Sequence, residues 1–337
     1  MGGMHYSLAC IRGGSSKIEN PETKMNVHVP VLAREAIEGL RIRPDGVYVD
    51  ATVGGGGHAV LVAQALERGR LIALDRDPSA LAVARRRLAP FANVSLVHRN
   101  YAELAAVIAE FEIEKVDGVL IDAGFSTLQL DDPVRGFSFQ CEGPLDMRLD
   151  RSCGPTAAEY LSRVTEPELA RVLRAYGDVG PVRRIARAII ARCRRNAMKT
   201  TRDLADAVQE SLDFVQGVPV EVRTVFQAIR MAVNDELRHL DMGLRQAIEV
   251  LSSEGRLVAI SFHSGEDRVV KNIFREASRP SETLLQDGRV ASRVAARMRV
   301  LTPTPIRPAA AEVSENPRAH SARLRVAERL QEGGRTL

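Results

Sequence analysis

The chain has 337 residues, a length that suits one large domain or two ordinary ones. Its 45% hydrophobic and 27% charged residues are typical of a globular protein, which argues against a disordered or fibrous chain. The formal net charge of +4 permits a nucleic-acid partner without requiring one.

Cysteine spacing and hydropathy bear on the compartment. The four cysteines form no C-x-x-C pair, which argues against a zinc site and favours a reducing compartment. We predict no metal site and no membrane association, since no apolar run approaches the ~18 residues of a membrane span. Residues 1–24 lack an apolar signal-peptide core, and we expect them to be a disordered extension. We predict a cytoplasmic protein, while this extension leaves a mitochondrial location open.

The first 125 residues alternate between strand and helix patterns. Short β-branched runs predict buried parallel strands at Val47–Thr52, Leu71–Asp75, Val94–His98 and Val119–Asp122. The stretches between them have helical periodicity, at 58–67, 78–88 and 101–110. This β-α-β order predicts an α/β fold with a doubly wound sheet, whose ligands bind beyond the carboxyl ends of the strands.

The pattern changes after the fourth strand. A loop rich in Gly, Pro and Asp leads into mostly helical sequence, and alternation resumes with a strand at 256–262 and a helix near 266–276. Beyond it we predict a strand in "RVLTPTPIRP", loops at 278–298 and 307–319, and a short last helix. The predicted organisation is one α/β domain, residues 25–133 and 225–337, interrupted by a helical insertion at residues 134–224.

Four consecutive glycines follow the first strand, in "YVDATVGGGGHAVLVAQAL". Glycine allows positive φ and close backbone approach. The pattern Gly54-x-Gly56-x-x-Ala59 matches a dinucleotide fingerprint, and Asp75 lies at a suitable distance to bind a ribose. The loop suits NAD or S-adenosylmethionine, and a tight turn without a ligand is a further alternative. We interpret Asp75 as a ligand and Asp77 as the N-cap of the next helix.

Asp122 ends the fourth predicted strand, in "VLIDAGFSTLQLDD". Its carboxylate is placed to accept a proton or a hydrogen bond from an amine at the edge of the sheet where ligands bind. A role in capping the following loop is the alternative.

Several long blocks carry a family resemblance. They are "DATVGGGGH", "ALDRDP", "VDGVLIDAGFSTLQLDDPVRGFSF", "GPLDMRLD", "TVFQAIRMAVNDEL", "GRLVAISFHSGEDRVVK" and "NPRAHSARLRVAER". Together they resemble the S-adenosylmethionine-dependent cytosine-N4 methyltransferases of small-subunit ribosomal RNA, from His28 to about Leu330. The resemblance implies a class I, Rossmann-like methyltransferase sheet and S-adenosylmethionine as cofactor. It also implies methylation of a cytidine in the decoding region of that RNA.

Carried over by position, the family's cofactor contacts fall on Gly56, Gly57, His58, Asp75, Tyr101, Asp122 and Gln129. His58, Tyr101 and Gln129 are implicated by the resemblance alone. The Asn/Asp/Ser-Pro-Pro-aromatic motif of many amino-methyltransferases is absent, and we expect Asp122 and Ser126 to take its catalytic role.

The chain departs from the family pattern at several positions. "DAGFSTLQ" stands where the family usually has D-L-G-V-S-S-P-Q, and "HSGED" where it has H-S-L-E-D, so that Gly265 replaces a leucine. Gly55 also replaces a residue that is commonly larger. The polar groups persist, so we expect binding to persist, while a weakened enzyme remains an alternative.

Substrate contacts are expected at two places. The stretch "PVRRIARAIIARCRRNAMKTTR" has an apolar stripe, which leaves Arg183, Arg184 and Arg187 facing solvent as a candidate RNA surface, although a merely solvated basic helix is the alternative. Past the fifth strand, His263 and Asp267 are candidates, with a helix start capped by Ser264 as the alternative. Asn234 is a further candidate, with a polar helix face as its alternative.

The expected partner is small-subunit ribosomal RNA, within an assembling or assembled 30S subunit, and the sequence leaves open whether the protein is a monomer or a homodimer. Two rival functions remain. One is a methyltransferase-fold RNA-binding or ribosome assembly factor, and the other is an NAD-dependent oxidoreductase that uses the same glycine loop.

Overall fold

The computed structural model describes residues 30–124, 129–130, 132–177, 180–212, 219–284 and 290–331. The predicted N-terminal extension, residues 1–24, lies outside these ranges, as do Phe125, Ser126, Thr127 and Leu128 of the "DAGFST" segment and its neighbour. For 281–284 and 290–294 we describe the backbone alone.

A seven-stranded sheet forms the larger part of the fold. Its strands are β1 (Val47–Asp50), β2 (Arg70–Asp75), β3 (Val94–His98), β4 (Val116–Asp122), β5 (Leu251–Ser261), β8 (Met298–Val300) and β9 (Arg323–Arg329). Their order is β3-β2-β1-β4-β5-β9-β8. Neighbours among β1 to β5 pair in parallel, whereas β9 pairs antiparallel with β5 and β8. The predicted doubly wound, Rossmann-like sheet is confirmed.

Helices cover both faces of this sheet. The helices outside the insertion are α1 (Ala33–Leu40), α2 (Gly57–Ala65), α3 (Pro78–Leu88), α4 (Leu104–Glu110), α10 (Glu236–Val250), α11 (Ser264–Ala277) and α12 (Ala310–Glu315). Residues of α1, α2 and α3 share one buried cluster with the sheet, and residues of α4, α10 and α11 share another. Because β1 to β5 are parallel, Asp50, Asp75 and Asp122, which end β1, β2 and β4, lie at one edge of the sheet.

The helical sequence between β4 and β5 packs around a third buried cluster. Its helices are α5 (Ala157–Arg163), α6 (Glu166–Gly177), α7 (Val182–Arg194), α8 (Thr201–Glu210) and α9 (Val220–Val233). Buried apolar residues from Phe137 to Ile229 form the cluster. Helix α9 spans the predicted boundary at 224/225, so we propose that the inserted unit extends to the end of α9.

Three predictions near the C-terminus are wrong. The expected short last helix is strand β9, because "RLRVAER" is buried along almost its whole length between β5 and β8. The expected loop at 278–298 contains the hairpin strands β6 (Ser281–Leu284) and β7 (Val290–Val294). The expected loop at 307–319 contains α12. Strand pairing accounts for β9 and for the β6–β7 hairpin, and a short helix replaces the third expected element.

A tight backbone contact fixes the loop that enters the insertion. Gly136 has φ +72°, and a Cβ there would lie 2.2 Å from the carbonyl oxygen of Pro144. Gly154 has nearly the same conformation, φ +74°, with no heavy atom within 4 Å of a Cβ. An alanine at Gly154 would therefore be strained only by its backbone conformation, whereas an alanine at Gly136 would also collide with Pro144.

We expect Gly154→Ala to lower the free energy of unfolding by roughly 1–2 kcal/mol, the cost of a left-handed alanine. Gly136→Ala should lower it by about 2 kcal/mol more, because the added methyl group collides with backbone. Urea denaturation of both variants measures the difference. Equal losses would contradict the packing role of Gly136.

Candidate functional site

The glycine turn between β1 and α2 is fixed by its neighbours. Gly54 and Gly56 have φ of +50° and +83°, and Gly56 is the residue before α2. A Cβ on Gly57 would lie 3.0 Å from the ring of Pro30, so the chain before α1 passes over the turn. Gly55 does not have a positive φ. The turn therefore requires glycine for its backbone conformation at two of its four positions.

Asp75 holds this turn against the end of β2. Its Oδ2 accepts a hydrogen bond from the Gly54 amide at 2.8 Å, and its Oδ1 accepts one from the Asp77 amide at 2.8 Å. Burial raises the pKa of Asp75, and the two amides oppose the rise. A carboxylate offers about four acceptor positions, so the half-buried group retains capacity for a ligand hydroxyl.

Asp50 is a site residue that the sequence analysis missed. Its side chain is 1% exposed, and Oδ1 accepts a hydrogen bond from the Thr52 amide at 3.1 Å. Oδ2 is buried and has no hydrogen-bond partner among the described residues. The predicted first strand ran to Thr52 and placed Asp50 inside it, whereas β1 ends at Asp50. An acid at the end of a strand, the signal used for Asp75 and Asp122, would have identified it.

Asp122 lies close to Asp50 across neighbouring strands. Its Oδ1 is buried and lacks a hydrogen-bond partner in the described ranges, and its Oδ2 lies 3.6 Å from Nδ1 of His58. Burial, and then the charge of Asp50, raise the pKa of Asp122 well above the ordinary value. Burial also raises the pKa of Asp50 to about 7. A positively charged ligand group beside these two carboxyl groups would favour their ionised forms, so the pair suits a cationic ligand group.

The structure places His58 beside Asp122 and Tyr101 near Asp75. His58 is buried in α2, and its Nε2 donates a hydrogen bond to the carbonyl of Val31 at 3.0 Å. The ring of Tyr101 packs against α10, where a Cβ on Gly243 would lie 2.5 Å from it. Burial raises the pKa of the Tyr101 phenol, which therefore stays protonated. Their roles as cofactor contacts stay predictions.

Gln129 contacts the carboxylate of Asp77, two residues after Asp75. Its Nε2 donates to Oδ2 of Asp77 at 2.7 Å, and the Nη1 of Arg135 lies 2.8 Å from the same oxygen. Asp77 accepts from the Ser79 amide at 2.9 Å through Oδ1, which confirms it as the N-cap of α3. The contact of Gln129 in this structure is thus a protein carboxylate, and its cofactor contact stays a prediction.

Arg135 connects this cluster to the loop of "GPLDMRLD". Its Nη2 donates to the carbonyls of Arg148 and Leu149 at 3.0 Å and 2.9 Å. The Leu149 amide in turn donates to Oδ1 of Asn234 at 2.8 Å, and the Asn234 amide donates to the Met147 carbonyl at 2.7 Å. Asn234, predicted as a substrate contact, therefore has protein partners on both polar atoms, and this geometry favours a positioning role.

The start of α11 differs from the predicted cap. The N-cap is His263 rather than Ser264, because Nδ1 of His263 accepts from the amides of Gly265 and Glu266 at 3.1 Å and 3.3 Å. Glu266 completes a capping box, because its Oε2 accepts from the His263 amide at 3.3 Å, and the same oxygen also accepts from the Phe262 amide at 2.8 Å. Burial would raise the pKa of Glu266, but His263 lowers it. His263 is thus engaged at the helix start, and substrate binding by it stays a prediction.

Asp267, a further predicted substrate contact, pairs with two arginines of β9. Its Oδ1 accepts from Nε of Arg325 at 2.7 Å, and its Oδ2 accepts from Nη1 of Arg323 at 3.0 Å. These guanidinium groups hold the pKa of Asp267 below its ordinary value despite burial. Both carboxylate oxygens are therefore used within the protein, which favours a structural role.

The basic surface predicted on the insertion lies on α7. Val182, Ile185, Ala186, Ile189 and Ile190 are buried on one side of this helix. Arg183, Arg184 and Arg187 are exposed on the other, with Arg187 lying 3.6 Å from Glu166. The predicted catalytic Ser126 lies outside the described residues.

We expect the raised pKa of Asp50 to make the ligand-free protein less stable as pH increases. The folded state binds the Asp50 proton up to about pH 7, whereas the unfolded state releases it near pH 4. The free energy of unfolding should therefore fall between these pH values, by an upper limit of about 4 kcal/mol from this group. Asp50→Asn should abolish this component.

Urea denaturation of the wild type and Asp50→Asn at pH 4.5, 5.5, 6.5 and 7.5 measures it. Comparing the two proteins cancels the contributions of acids with lowered pKa, such as Asp267. If the difference in free energy of unfolding between the two proteins did not change with pH, the pKa of Asp50 would not be raised in the folded state.

The described residues contain no group of three or more His, Cys, Asp or Glu that could hold a metal ion. In the same part of the chain no helix is long and apolar enough to cross a membrane.

Comparisons with known proteins identify the family. Similar solved structures include an rRNA methylase from Streptococcus thermophilus, 12% identical with a TM-score of 0.39, covering 89% of this chain and 94% of that one. Another is a putative methyltransferase from Streptococcus mutans in complex with SAH, 13% identical with a TM-score of 0.42, covering 90% and 99%. The profile of the MraW methylase family matches residues 25–330. The chain therefore belongs to the MraW methylase family.

Proposed function

We propose that this methyltransferase methylates N4 of a cytidine in the decoding region of small-subunit ribosomal RNA. The observation that carries the proposal is the pair of carboxyl groups of Asp50 and Asp122, each with a buried oxygen that has no hydrogen-bond partner among the described residues. A second observation, the exposed arginines of α7, supports an RNA substrate. The long sequence blocks that resemble cytosine-N4 methyltransferases support the target atom.

S-adenosylmethionine is the cofactor, and when bound it supplies an electrophilic methyl group next to a positively charged sulfur. The residues present fit it. The free oxygens of Asp50 and Asp122 complement positive charge, and Asp75 retains acceptor capacity for ribose hydroxyls. The same two acids would repel the pyrophosphate of a dinucleotide, which counts against the oxidoreductase alternative.

Asp122 is the group best placed to serve a cytosine amine. The N4 lone pair is delocalised into the ring, so an acceptor that holds the N4 hydrogens favours its attack on the methyl group. The free Oδ1 of Asp122 can accept one such hydrogen, and its raised pKa suits it to hold a proton after transfer. His58, beside Oδ2, orients the carboxyl group. Ser126 is proposed as a second acceptor.

We propose two units with different tasks. Residues 25–133 and 225–337 bind the cofactor, and residues 134–224, extended to the end of α9, recognise the RNA through Arg183, Arg184 and Arg187. The target base is unpaired or flipped out, since a duplex hides its reactive edge. We place the protein in the cytoplasm, with a small subunit, assembling or assembled, as substrate.

Nucleoside analysis tests the target atom. Unmodified small subunits incubated with isotope-labelled S-adenosylmethionine should yield N4-methylcytidine at one position. Asp122→Asn should reduce kcat by about 100-fold or more, because an amide accepts no proton. Asp117→Asn is the matched control, since Asp117 lies near the start of β4 and accepts a hydrogen bond from the Val47 amide at 2.8 Å.

A methyl group on another atom would contradict the N4 assignment. The absence of any transfer to RNA by the wild type would favour the assembly-factor alternative, which the altered "DAGFST" segment makes worth testing. Binding of S-adenosylhomocysteine to Asp122→Asn, measured by calorimetry, separates loss of cofactor from loss of catalysis.

Replacing Arg183, Arg184 and Arg187 by Ala should weaken RNA binding and reduce its salt dependence. Each lost phosphate contact lowers the slope of log K against log salt by about 0.7–0.9. The control triple variant removes the exposed arginines 68, 85 and 86 from the sheet domain. Equal effects of the two triple variants would show that α7 is not the RNA surface.

A further inference from the structure

A surface groove of about 430 Å³ lies on the insertion, beside the helices that carry the predicted RNA surface. It is lined by Pro155, which precedes α5, by Tyr160 and Arg163 of α5, and by Arg171 and Val172 of α6. Apolar and aromatic side chains form its walls, and two arginines stand at its rim. Its volume is within the range of sites for small molecules and cofactors, about 300–1,000 Å³.

The positive charge at the rim comes from Arg163 and Arg171, and Glu168 neutralises part of it. Glu168 lines the same groove, but its carboxylate accepts hydrogen bonds from the amide and the hydroxyl of Thr165 at 2.9 Å and 2.7 Å. It lies 4.0 Å from Arg171. Arg163 is exposed and has no ion pair within the described residues. The groove therefore suits an anionic ligand better than a cationic one.

Tyr160 gives the groove an aromatic surface. The side chain is half-buried and packs against the hydrophobic cluster of the insertion. Burial raises the pKa of its phenol, so the ring is neutral at physiological pH. A flat aromatic ring beside exposed arginines is the combination that binds single-stranded nucleic acid, because bases stack on the ring and phosphates pair with the cations.

One end of the groove, at Pro155, lies within about 17 Å of Asp150, a residue beside the end of β2. Nε2 of His98 donates to the carbonyl of Arg76, the residue after Asp75, at 3.1 Å, and it lies 3.5 Å from Oδ2 of Asp150. Asp150 therefore lies beside the end of β2. Because Pro155 follows Asp150 by five residues, the chain between them spans at most about 17 Å. Nucleotides near the target can reach both places.

We propose that this groove binds an unpaired base of the RNA that flanks the methylated nucleotide. The base stacks on the ring of Tyr160, and the adjoining phosphates pair with Arg163 and Arg171. The inference rests on the proposed RNA substrate and adds to it a second contact, which fixes the strand on one side of the target.

Base-analogue fluorescence tests the stacking directly. A series of RNA fragments contains the target, and each fragment carries 2-aminopurine at a different flanking position. The wild-type protein should quench the fluorescence of one fragment in the series. Tyr160→Leu keeps apolar volume but removes the ring, and it should abolish the quenching, whereas Tyr160→Phe should retain it. The KM for RNA should rise about tenfold or more in Tyr160→Leu, with kcat at saturating RNA unchanged.

The rim is tested by charge. Arg163→Gln and Arg171→Gln should each lower the salt slope of RNA binding by about 0.7. Arg68→Gln is the matched control, because Arg68 is 77% exposed in side-chain area and lies just before β2, at the opposite edge of the sheet.

Three outcomes would overturn the proposal. The first is that the protein quenches 2-aminopurine at no flanking position. The second is that Tyr160→Leu still quenches it. The third is that Tyr160→Leu loses activity on assembled subunits but keeps it on RNA fragments. The last would indicate that the groove contacts a protein. Quenching does not depend on methyl transfer, so a protein that quenches without methylating would refute the proposed function and leave the groove assignment standing.

Discussion

The buried carboxylate of Asp77 is the constraint on which the arrangement of the site depends. It is 1% exposed, and it is surrounded by the Ser79 amide, the Gln129 amide group and the Arg135 guanidinium. A buried charge with fewer partners would destabilise the fold strongly, since removing one member of such a pair typically costs about 3–5 kcal/mol. This requirement ties the end of β2, the start of α3 and the first loop of the insertion to one another.

From Arg135 the same network continues into the insertion. Its guanidinium fixes the carbonyls of Arg148 and Leu149, and Asn234 holds the other side of that loop. The unusual blocks "RGFSF" and "GPLDMRLD" therefore have a common physical purpose, which is to fix the inserted helices relative to the strand that carries Asp75. Residues that seemed suited to bind substrate, above all Asn234, contribute by holding this junction.

The sequence predicted the parallel strands well because each is a short apolar run that ends in an acid or a turn. It could not predict β9, whose residues become a strand through pairing with β5 and β8, far away in the chain. Asp75 and Asp122 were found because they end their predicted strands. Asp50 was missed because the predicted first strand ran two residues too far, to Thr52, so that Asp50 did not stand at a strand end. The partners of Asp267 on β9 depend on tertiary pairing and have no local signature.

In the proposed function, the distribution of charge separates the site of a cationic cofactor from the surface that binds an anionic RNA. Asp50, Asp75 and Asp122 gather at one edge of the sheet, where a bound cation would favour their ionised forms and a phosphate would not. We propose that exposed arginines of the inserted helices, among them Arg183, Arg184 and Arg187, hold the RNA backbone. A neutral base is the part of the RNA that can enter the acidic site without this penalty. In the proposed function the target base therefore leaves the strand while its neighbours stay outside the acidic site, which is why we place a contact for a flanking nucleotide on the insertion.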